Sequence, residues 1–353
     1  MKYCPECGTK LVSDKFCHEC GEDLRKYTIS SNASNSSSEF SSFDFSALEN
    51  EAKKQLVEQI GLEIEGSVLA KYTGKSRTVE IPSGVTEIYD RAFKDNKVIS
   101  SVIIPEGVTV IGKEAFSGCT YLKSVTLPST IEEIYELAFY NCSELQEIKI
   151  PSKVTQIRNG VFRDCKKLEK IELPSSITSI GDYAFSFCTG LTNIEIPDRV
   201  TSIGSDAFCD CAITSIKIPN SVTQIGKGAY GRCSKLKEIK MPNNVTSIGG
   251  YVFYCCSELE KIVIPNSVTS IGDRAFAYCS ALKSVIIPNG VTKIDDFVFY
   301  NCTTLESVEI PNSVTLIGGY AFASCSALKT IKIPKSLENR ILKPNDKVKI
   351  ITY

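Results

Sequence analysis

The most constraining feature of this sequence is a repeat of 23 residues that runs from about residue 79 to residue 334. Proline marks each copy, and it recurs at residues 82, 105, 128, 151, 174, 197, 219, 242, 265, 288, 311 and 334. Only the step from Pro197 to Pro219 is one residue shorter, which a deletion in a surface loop explains. A repeat this regular predicts a stacked, quasi-one-dimensional fold.

Each copy has the pattern of one strand followed by a segment whose apolar side chains point inward. In the third copy, residues 124–127 alternate polar and apolar, which is typical of a strand with one buried face. Pro128 has no N–H for a ladder and ends that strand. Ile131, Ile134 and Phe139 then point inward. Because one coil cannot bury this much apolar surface alone, the sequence predicts a β-rich solenoid of about eleven 23-residue coils.

The repeat resembles the BspA-like leucine-rich repeats, whose motif reads roughly L-x-x-I-x-I-P-x-x-V-x-x-I-G-x-x-A-F-x-x-C. Residues 282–302 follow this motif closely, and about 250 residues in eleven copies match it. Asp295 stands where the family has glycine, so the turn there tolerates a side chain. The resemblance implies a leucine-rich-repeat solenoid. Some family members bind host matrix proteins, so it also implies a cell-surface adhesin as an alternative function.

The N-terminus carries a metal-binding pattern in residues 1–27. Two C-x-x-C pairs, separated by nine residues, provide the four thiolates that tetrahedral Zn²⁺ prefers, and they are Cys4, Cys7, Cys17 and Cys20. The segment resembles a short bacterial zinc ribbon, with Tyr3 and Phe16 before the two pairs. We expect one structural zinc ion. One alternative is a ligand role for His18, which the four well-spaced cysteines disfavour. Another is a redox role for one C-x-x-C pair, which the lack of a thioredoxin-like strand and helix nearby disfavours.

The segments around the repeats have different patterns. Residues 28–46 are rich in serine and predict a flexible linker, and residues 47–61 have the spacing and capping box of a short helix. Residues 62–78 predict a β-hairpin that caps the first coil. Residues 335–353 lose the repeat pattern and predict a C-terminal cap, which a solenoid needs to cover its exposed core.

Composition excludes several functional classes. The chain has 40 basic and 41 acidic residues, so it offers no electrostatic case for nucleic acid or an anionic membrane. The zinc ribbon, with five basic residues, five acidic residues and a zinc–thiolate centre, is anionic and argues against phosphate binding. His18 is the one histidine, so the repeats lack the commonest general base, which disfavours an enzyme. The chain shows no signal peptide and no membrane span, which predicts a cytoplasmic protein.

Ten copies of the repeat place a cysteine three residues after the core aromatic residue. A small buried residue stacked once per coil explains this column better than a metal or redox ladder, since adjacent coils hold the Cβ atoms too far apart for a disulfide. Cys209 and Cys255 lie outside the column, and we expect them to be the more reactive thiols.

The outward positions of the predicted strands form the surface that could bind a partner. Most are polar or charged with mixed signs, so many charges could pair across coils. Val263 and Ile286 are apolar neighbours in one outward column and predict a contact site. The residues expected to surround them are Lys240, Lys261, Ser284 and Glu309. We therefore predict a non-catalytic scaffold that binds a protein partner on its strand face.

Overall fold

A computed structural model describes residues 60–338 and 347–353 of the chain. These residues form a β-solenoid of about 12 turns built from leucine-rich repeats. That is one turn more than the eleven repeats counted, because Pro334 ends a twelfth strand segment, which leads into the C-terminal residues. The predicted zinc ribbon, linker and nearly all of the predicted helix lie outside the described residues.

The first sheet contains the strands that the sequence pattern predicts, each ending before or at the residue that precedes a proline, together with the last described strand, which no proline follows. It consists of β3 (Thr78–Glu80), β5 (Ser101–Ile103), β7 (Ser124–Thr126), β9 (Glu147–Lys149), β11 (Lys170–Glu172), β14 (Ser215–Lys217), β16 (Glu238–Lys240), β18 (Lys261–Val263), β21 (Ser307–Glu309), β23 (Thr330–Ile333) and β24 (Lys349–Thr352). Neighbouring strands pair in parallel, one repeat apart. The ladder is interrupted at residues 193–195 and at residues 284–286, where only Ser284 bridges to Ser307.

A second sheet of parallel strands, which the sequence analysis did not predict, lies along another side of the coils, and its ladder is interrupted between residues 134 and 156 and between residues 225 and 247. After the hairpin strands β1 (Leu62–Glu65) and β2 (Val68–Tyr72), it contains β4 (Glu87–Ile88), β6 (Val110–Ile111), β8 (Glu133–Ile134), β10 (Gln156–Ile157), β12 (Ser179–Ile180), β13 (Ser202–Ile203), β15 (Gln224–Ile225), β17 (Ser247–Ile248), β19 (Ser270–Ile271), β20 (Lys293–Ile294) and β22 (Leu316–Ile317). From β4 onward these strands have two residues each, which is too short for an alternating pattern to reveal them.

The two ends of the solenoid are joined to different sheets. Strands β1 and β2 pair antiparallel, and β2 then pairs in parallel with β4, so the hairpin extends the second sheet. Its Tyr72 ring lies 5.1 Å from the ring centroid of Phe93 and covers the first core aromatic residue. At the other end β24 pairs with β23 and extends the first sheet, after a 3-10 helix at Lys335–Leu337.

A column of stacked aromatic rings runs through the core. The eleven rings belong to Phe93, Phe116, Phe139, Phe162, Phe185, Phe208, Tyr230, Phe253, Phe276, Phe299 and Phe322, all of them buried. Successive ring centroids are 4.7–5.9 Å apart with interplanar angles of 1–14°. Because each inner ring contacts one neighbour on either side, stability passes from coil to coil through nearest-neighbour contacts.

The cysteine column has a specific bonding role. Each of its ten thiols donates to the carbonyl oxygen of the core aromatic residue of the preceding coil, 26 or, across the short repeat, 25 residues earlier, at 3.0–3.2 Å. Burial raises the pKa of the Cys119 thiol to about 12 and that of Cys142 well above its ordinary value. These thiols therefore stay protonated and act as small hydrogen-bonding core residues.

The third side of each coil is a turn side, which we define as the segment from two residues before the core aromatic residue to two residues after it. Both outer positions have left-handed backbone in all eleven copies, with glycine at only three of the twenty-two positions. Their N–H groups donate to the next coil, as from Arg91 to the Lys113 carbonyl at 2.9 Å and from Asp95 to the Ser117 carbonyl at 2.7 Å. These hydrogen bonds offset the unfavourable backbone conformation.

Candidate functional site

The structure brings the predicted strand-face residues together on neighbouring coils. Lys240 pairs in register with Val263, and Lys261 lies on the same strand as Val263. Ser284 and Ile286 belong to the next coil, and Ser284 bridges to the strand that contains Glu309. The side chain of Val263 is 61% exposed and that of Ile286 is 83% exposed. We call these six residues, Lys240, Lys261, Val263, Ser284, Ile286 and Glu309, the apolar patch and its rim.

Charges pair across coils on part of the strand face. The Lys149 ammonium lies 3.6 Å from the Glu172 carboxylate. The same carboxylate also accepts a hydrogen bond from Lys170 at 3.0 Å. The pKa of Glu172 is lowered by Lys170 first and by Lys149 next. At the rim of the apolar patch, Lys332 lies 3.3 Å from Glu309. Exposed pairs of this kind contribute little stability each, and here they leave these coils electrically balanced.

The charges next to the apolar patch are arranged differently. Lys217 and Lys240 occupy directly opposite positions in the ladder between β14 and β16, and both side chains are exposed. Like charges in directly opposite positions are unfavourable in a sheet. Lys261 on the following strand lies opposite Glu238, so the positive charge beside Val263 comes from Lys217 and Lys240.

Cys209 and Cys255 are the two cysteines of the described residues that are not buried, and their greater reactivity relative to the column thiols stays a prediction. Both side chains are partly exposed, as expected. Burial, reinforced by the carboxylates of Asp210 and Asp206, raises the pKa of Cys209 to about 12. Burial also raises the pKa of Cys255. The thiolate is the nucleophile, so a raised pKa lowers the reactivity of both residues at neutral pH.

The sequence analysis missed an aromatic surface on the turn side of the last four repeats, formed by Tyr251, Tyr254, Tyr278, Phe297, Tyr300 and Tyr320. The ring of Tyr278 meets those of Tyr254 and Tyr300 edge-on, with centroids 5.5 and 5.3 Å apart. The Phe297 and Tyr320 rings stack at 5.3 Å. Aligning the repeats at their turn positions would have revealed this surface. The inward positions do not reveal it, because in these repeats they do not differ from those of the other repeats.

Arg274 contacts two rings of the aromatic surface. Its guanidinium carbon lies 4.4 Å from the Phe297 ring centroid and 5.7 Å from that of Tyr251. The same guanidinium donates to the Tyr251 hydroxyl at 3.0 Å and to the Asp273 carboxylate at 2.7 Å. The cation–π contacts and the hydrogen bonds hold the rings in fixed positions.

Two concave surfaces lie near these residues. A cavity of about 240 Å³ opens beside Tyr251 and Tyr254, with Gly228 and Gly231 at its base. A longer groove of about 440 Å³ follows the second sheet from β10 to β15 and is lined by Gly181, Gly204 and Gly226, among other residues. No group of three or more metal-ligating side chains occurs within residues 60–338 and 347–353.

These features define a leucine-rich-repeat solenoid with two sheets, a stacked core and exposed outer columns. More particularly, the chain belongs to the BspA type leucine-rich repeat family, whose region of six copies matches residues 64–169, 155–282 and 247–341. In the part of the chain that the structure describes, no helix is long and apolar enough to cross a membrane.

Solved structures with the same fold come from several bacteria. A leucine-rich repeat protein from Bacteroides ovatus is 28% identical, with a TM-score of 0.60, and the match covers 83% of this chain and 90% of that one. A leucine rich cell surface protein from Faecalibacterium prausnitzii is 32% identical, with a TM-score of 0.58 and coverage of 83% and 94%. The pneumococcal vaccine antigen PcpA is 20% identical, with a TM-score of 0.52 and coverage of 82% and 85%, and shows the fold alone. No curated protein matches this chain.

Proposed function

We propose that this protein is a non-catalytic scaffold that binds a protein partner through the apolar patch and its rim. The observation that carries the proposal is the exposure of Ile286, at 83%, next to that of Val263, at 61%, in a column where most other residues are polar or charged. The fold needs only the inward columns, so these two side chains contribute nothing to it. Burying each of them under a partner would contribute roughly 1.5–3 kcal/mol.

The charges around the patch indicate the chemistry of the partner. Lys217 and Lys240 occupy directly opposite positions in one ladder, whereas Lys261 lies opposite Glu238 in the next ladder. A partner that places a carboxylate against these ammonium groups relieves their repulsion. The partner surface we expect therefore combines an apolar side chain, which covers Val263 and Ile286, with acidic residues beside it.

The test replaces both apolar side chains with aspartate. In affinity capture from the native cell extract, Val263→Asp combined with Ile286→Asp should abolish capture of the partner that the unmodified protein binds. The melting temperature should change little, because both side chains are exposed. The matched control, Thr126→Asp with Lys149→Asp, alters outward positions of distant coils and should retain capture. Equal capture by the first variant and the unmodified protein would rule out the patch.

A cell-surface binding protein is the second candidate. It is favoured by the 32% identity to a protein described as a leucine rich cell surface protein. The cytoplasmic scaffold and the surface protein differ in where the chain accumulates. Fractionation of the native cell, with detection of the chain by antibody, separates the two: recovery with the cytoplasm supports the first, and recovery on the cell surface supports the second.

The proposed structural zinc ion is held by Cys4, Cys7, Cys17 and Cys20. Four cysteine sulfur ligands in two C-x-x-C pairs fit the tetrahedral preference of Zn²⁺. Elemental analysis of the purified protein with reduced thiols should find one zinc per chain, and Cys4→Ser combined with Cys17→Ser should lose it. The melting of the solenoid should be the same in both proteins, because a serine-rich linker separates the two segments. Absence of zinc from the unmodified protein would contradict this proposal.

A further inference from the structure

The cavity beside Tyr251 and Tyr254 exists because one coil lacks two outward side chains. Residues 228 and 231 occupy turn positions at which the next coil carries Tyr251 and Tyr254, and both are glycine. Coils are separated by about 4.8 Å. The lack of one layer of side chains therefore leaves a slot between the two flanking coils, and this slot is about wide enough for one ring-shaped group. The cavity at this position has a volume of about 240 Å³.

The two walls of the slot differ in chemistry. On one side lie the Tyr251 and Tyr254 rings, whose centroids are 5.5 Å apart. On the other side lies Asp206, whose carboxylate reaches into the space that a side chain on Gly228 would fill. The Lys227 ammonium lies 4.9 Å from the centroid of the Tyr251 ring. A ligand in this slot would meet an aromatic face, one carboxylate and one ammonium group.

The balance of charge selects the class of ligand. The negative charge of Asp206 is matched by that of Lys227, and Arg232 is bonded to Asp210, so the slot has no net charge. Burial also raises the pKa of Asp206, which shows that its carboxyl group is poorly hydrated. The Asp206 carboxylate accepts a hydrogen bond from Tyr183 and interacts with Lys227. A purely apolar ring, such as a proline side chain, would remove further water from the carboxylate and the ammonium without hydrogen bonding to either group. A single-stranded nucleic acid requires a positively charged groove.

A neutral sugar ring meets each of these conditions. Its hydroxyl groups can donate to the Asp206 carboxylate and accept from the Lys227 ammonium, while its flat C–H face packs on tyrosine. The aromatic surface also continues away from the slot, since Tyr254, Tyr278 and Tyr300 form an edge-to-face ladder with centroids 5.5 and 5.3 Å apart. We propose that this slot and the tyrosine ladder bind a neutral oligosaccharide, with one sugar ring in the slot and the following rings on the ladder.

This site lies on the turn side of the coils and is separate from the apolar patch on the strand face. The two proposals can therefore fail independently. The Val263→Asp and Ile286→Asp variant should bind saccharide as the unmodified protein does. Loss of saccharide binding in that variant would contradict the assignment of the sugar to the turn side.

The experiment titrates the full chain with neutral tetrasaccharides of glucose, mannose, galactose and N-acetylglucosamine, in a calorimeter or by ligand-observed NMR. At least one should bind with a millimolar or lower Kd. Gly231→Tyr fills the slot with the residue that the equivalent position carries at Tyr254 and Tyr300, and Tyr254→Ala removes one wall. Each should weaken binding at least tenfold. Tyr140→Ala, at the equivalent position five coils away, should bind as the unmodified protein does.

Melting curves show whether each variant is folded, since Gly231→Tyr requires neighbouring carbonyl groups to shift by a few tenths of an ångström. Three results would overturn the proposal. They are no binding of any of the saccharides, unchanged binding by folded Gly231→Tyr, and binding of a hexaproline peptide in place of the saccharides at a site that Gly231→Tyr blocks.

Discussion

The turn side of the solenoid carries charged side chains in its first coils and aromatic rings in its last coils, on the same backbone. Glu114 accepts from both Arg91 and Lys94 near the N-terminal end. At the positions equivalent to Arg91 and Glu114, the last coils have Phe297 and Tyr320, which stack on each other. The backbone at these positions is left-handed in both regions, with φ between 56° and 63°.

This difference shows that the outward side chains do not determine the backbone conformation. The inward columns and the hydrogen bonds between coils are the same in both regions, and they hold the turn in place whatever side chain it carries. Outward positions are therefore free to differ from coil to coil. Binding surfaces are expected where outward positions carry aromatic or apolar side chains in place of charged pairs, as they do at the aromatic surface and at the apolar patch.

The largest effect should come from the shared core, whichever outward side chains lie nearby. Phe185 stacks between Phe162 and Phe208, whereas Phe322 stacks on Phe299 alone. Phe185→Ala should lower the free energy of unfolding by roughly 3–5 kcal/mol, and Phe322→Ala should lower it by less. Denaturant melts of the two variants measure the difference. Equal losses would contradict coil-to-coil stabilisation through nearest neighbours.

A smaller effect, of opposite sign, is expected at Tyr230, which replaces phenylalanine in the aromatic column. Its ring stacks on Phe208 and Phe253, but its buried hydroxyl group has no hydrogen-bond partner. Tyr230→Phe removes the unsatisfied hydroxyl and should raise the free energy of unfolding by about 1 kcal/mol. Thermal melts check this, with Phe208→Tyr as the converse variant that should be destabilised. A less stable Tyr230→Phe protein would show that the hydroxyl group has a favourable role.

The smallest effect distinguishes the two kinds of turn side directly. Arg274 contacts the Phe297 and Tyr251 rings, and Arg274→Ala should lower the free energy of unfolding by about 0.5–1 kcal/mol, of which salt should remove only the part that comes from the ion pair with Asp273. Arg91 pairs with Glu114 in an exposed position, and any loss in Arg91→Ala should disappear at high salt. Melts of both variants at low and high salt make the comparison. The same salt dependence in both would mean that the two regions are stabilised in the same way.

The sequence predicted those parts of the fold that depend on inward residues. Proline spacing located the strands of the first sheet, and the isoleucine, phenylalanine and cysteine columns are buried as their period indicated. The second sheet was not predicted, because strands such as Ser179–Ile180 have only two residues. The left-handed turn positions were also missed, since only five of the twenty-two carry glycine or asparagine, which would have indicated a positive φ, and others carry tyrosine, arginine or phenylalanine.

Of the candidate surfaces, likewise, one was predicted from the sequence and another was not. Val263 and Ile286 were found because they interrupt an alternating pattern on a strand, where period two assigns each side chain to a face. The cavity at Gly228 and Gly231 depends on the absence of side chains in one coil and the presence of rings in the next. Such a feature becomes visible only when neighbouring coils are placed side by side in three dimensions.

The most direct test of the proposed scaffold function is site-specific photo-crosslinking to the partner. A photoreactive phenylalanine derivative in place of Ile286 should form a covalent adduct with the partner, because this side chain is 83% exposed at the centre of the apolar patch. The same group in place of Thr126, on a distant coil of the same face, should form none. Adducts from position 126, or from position 278 on the turn side, without any from position 286 would contradict partner binding at the patch.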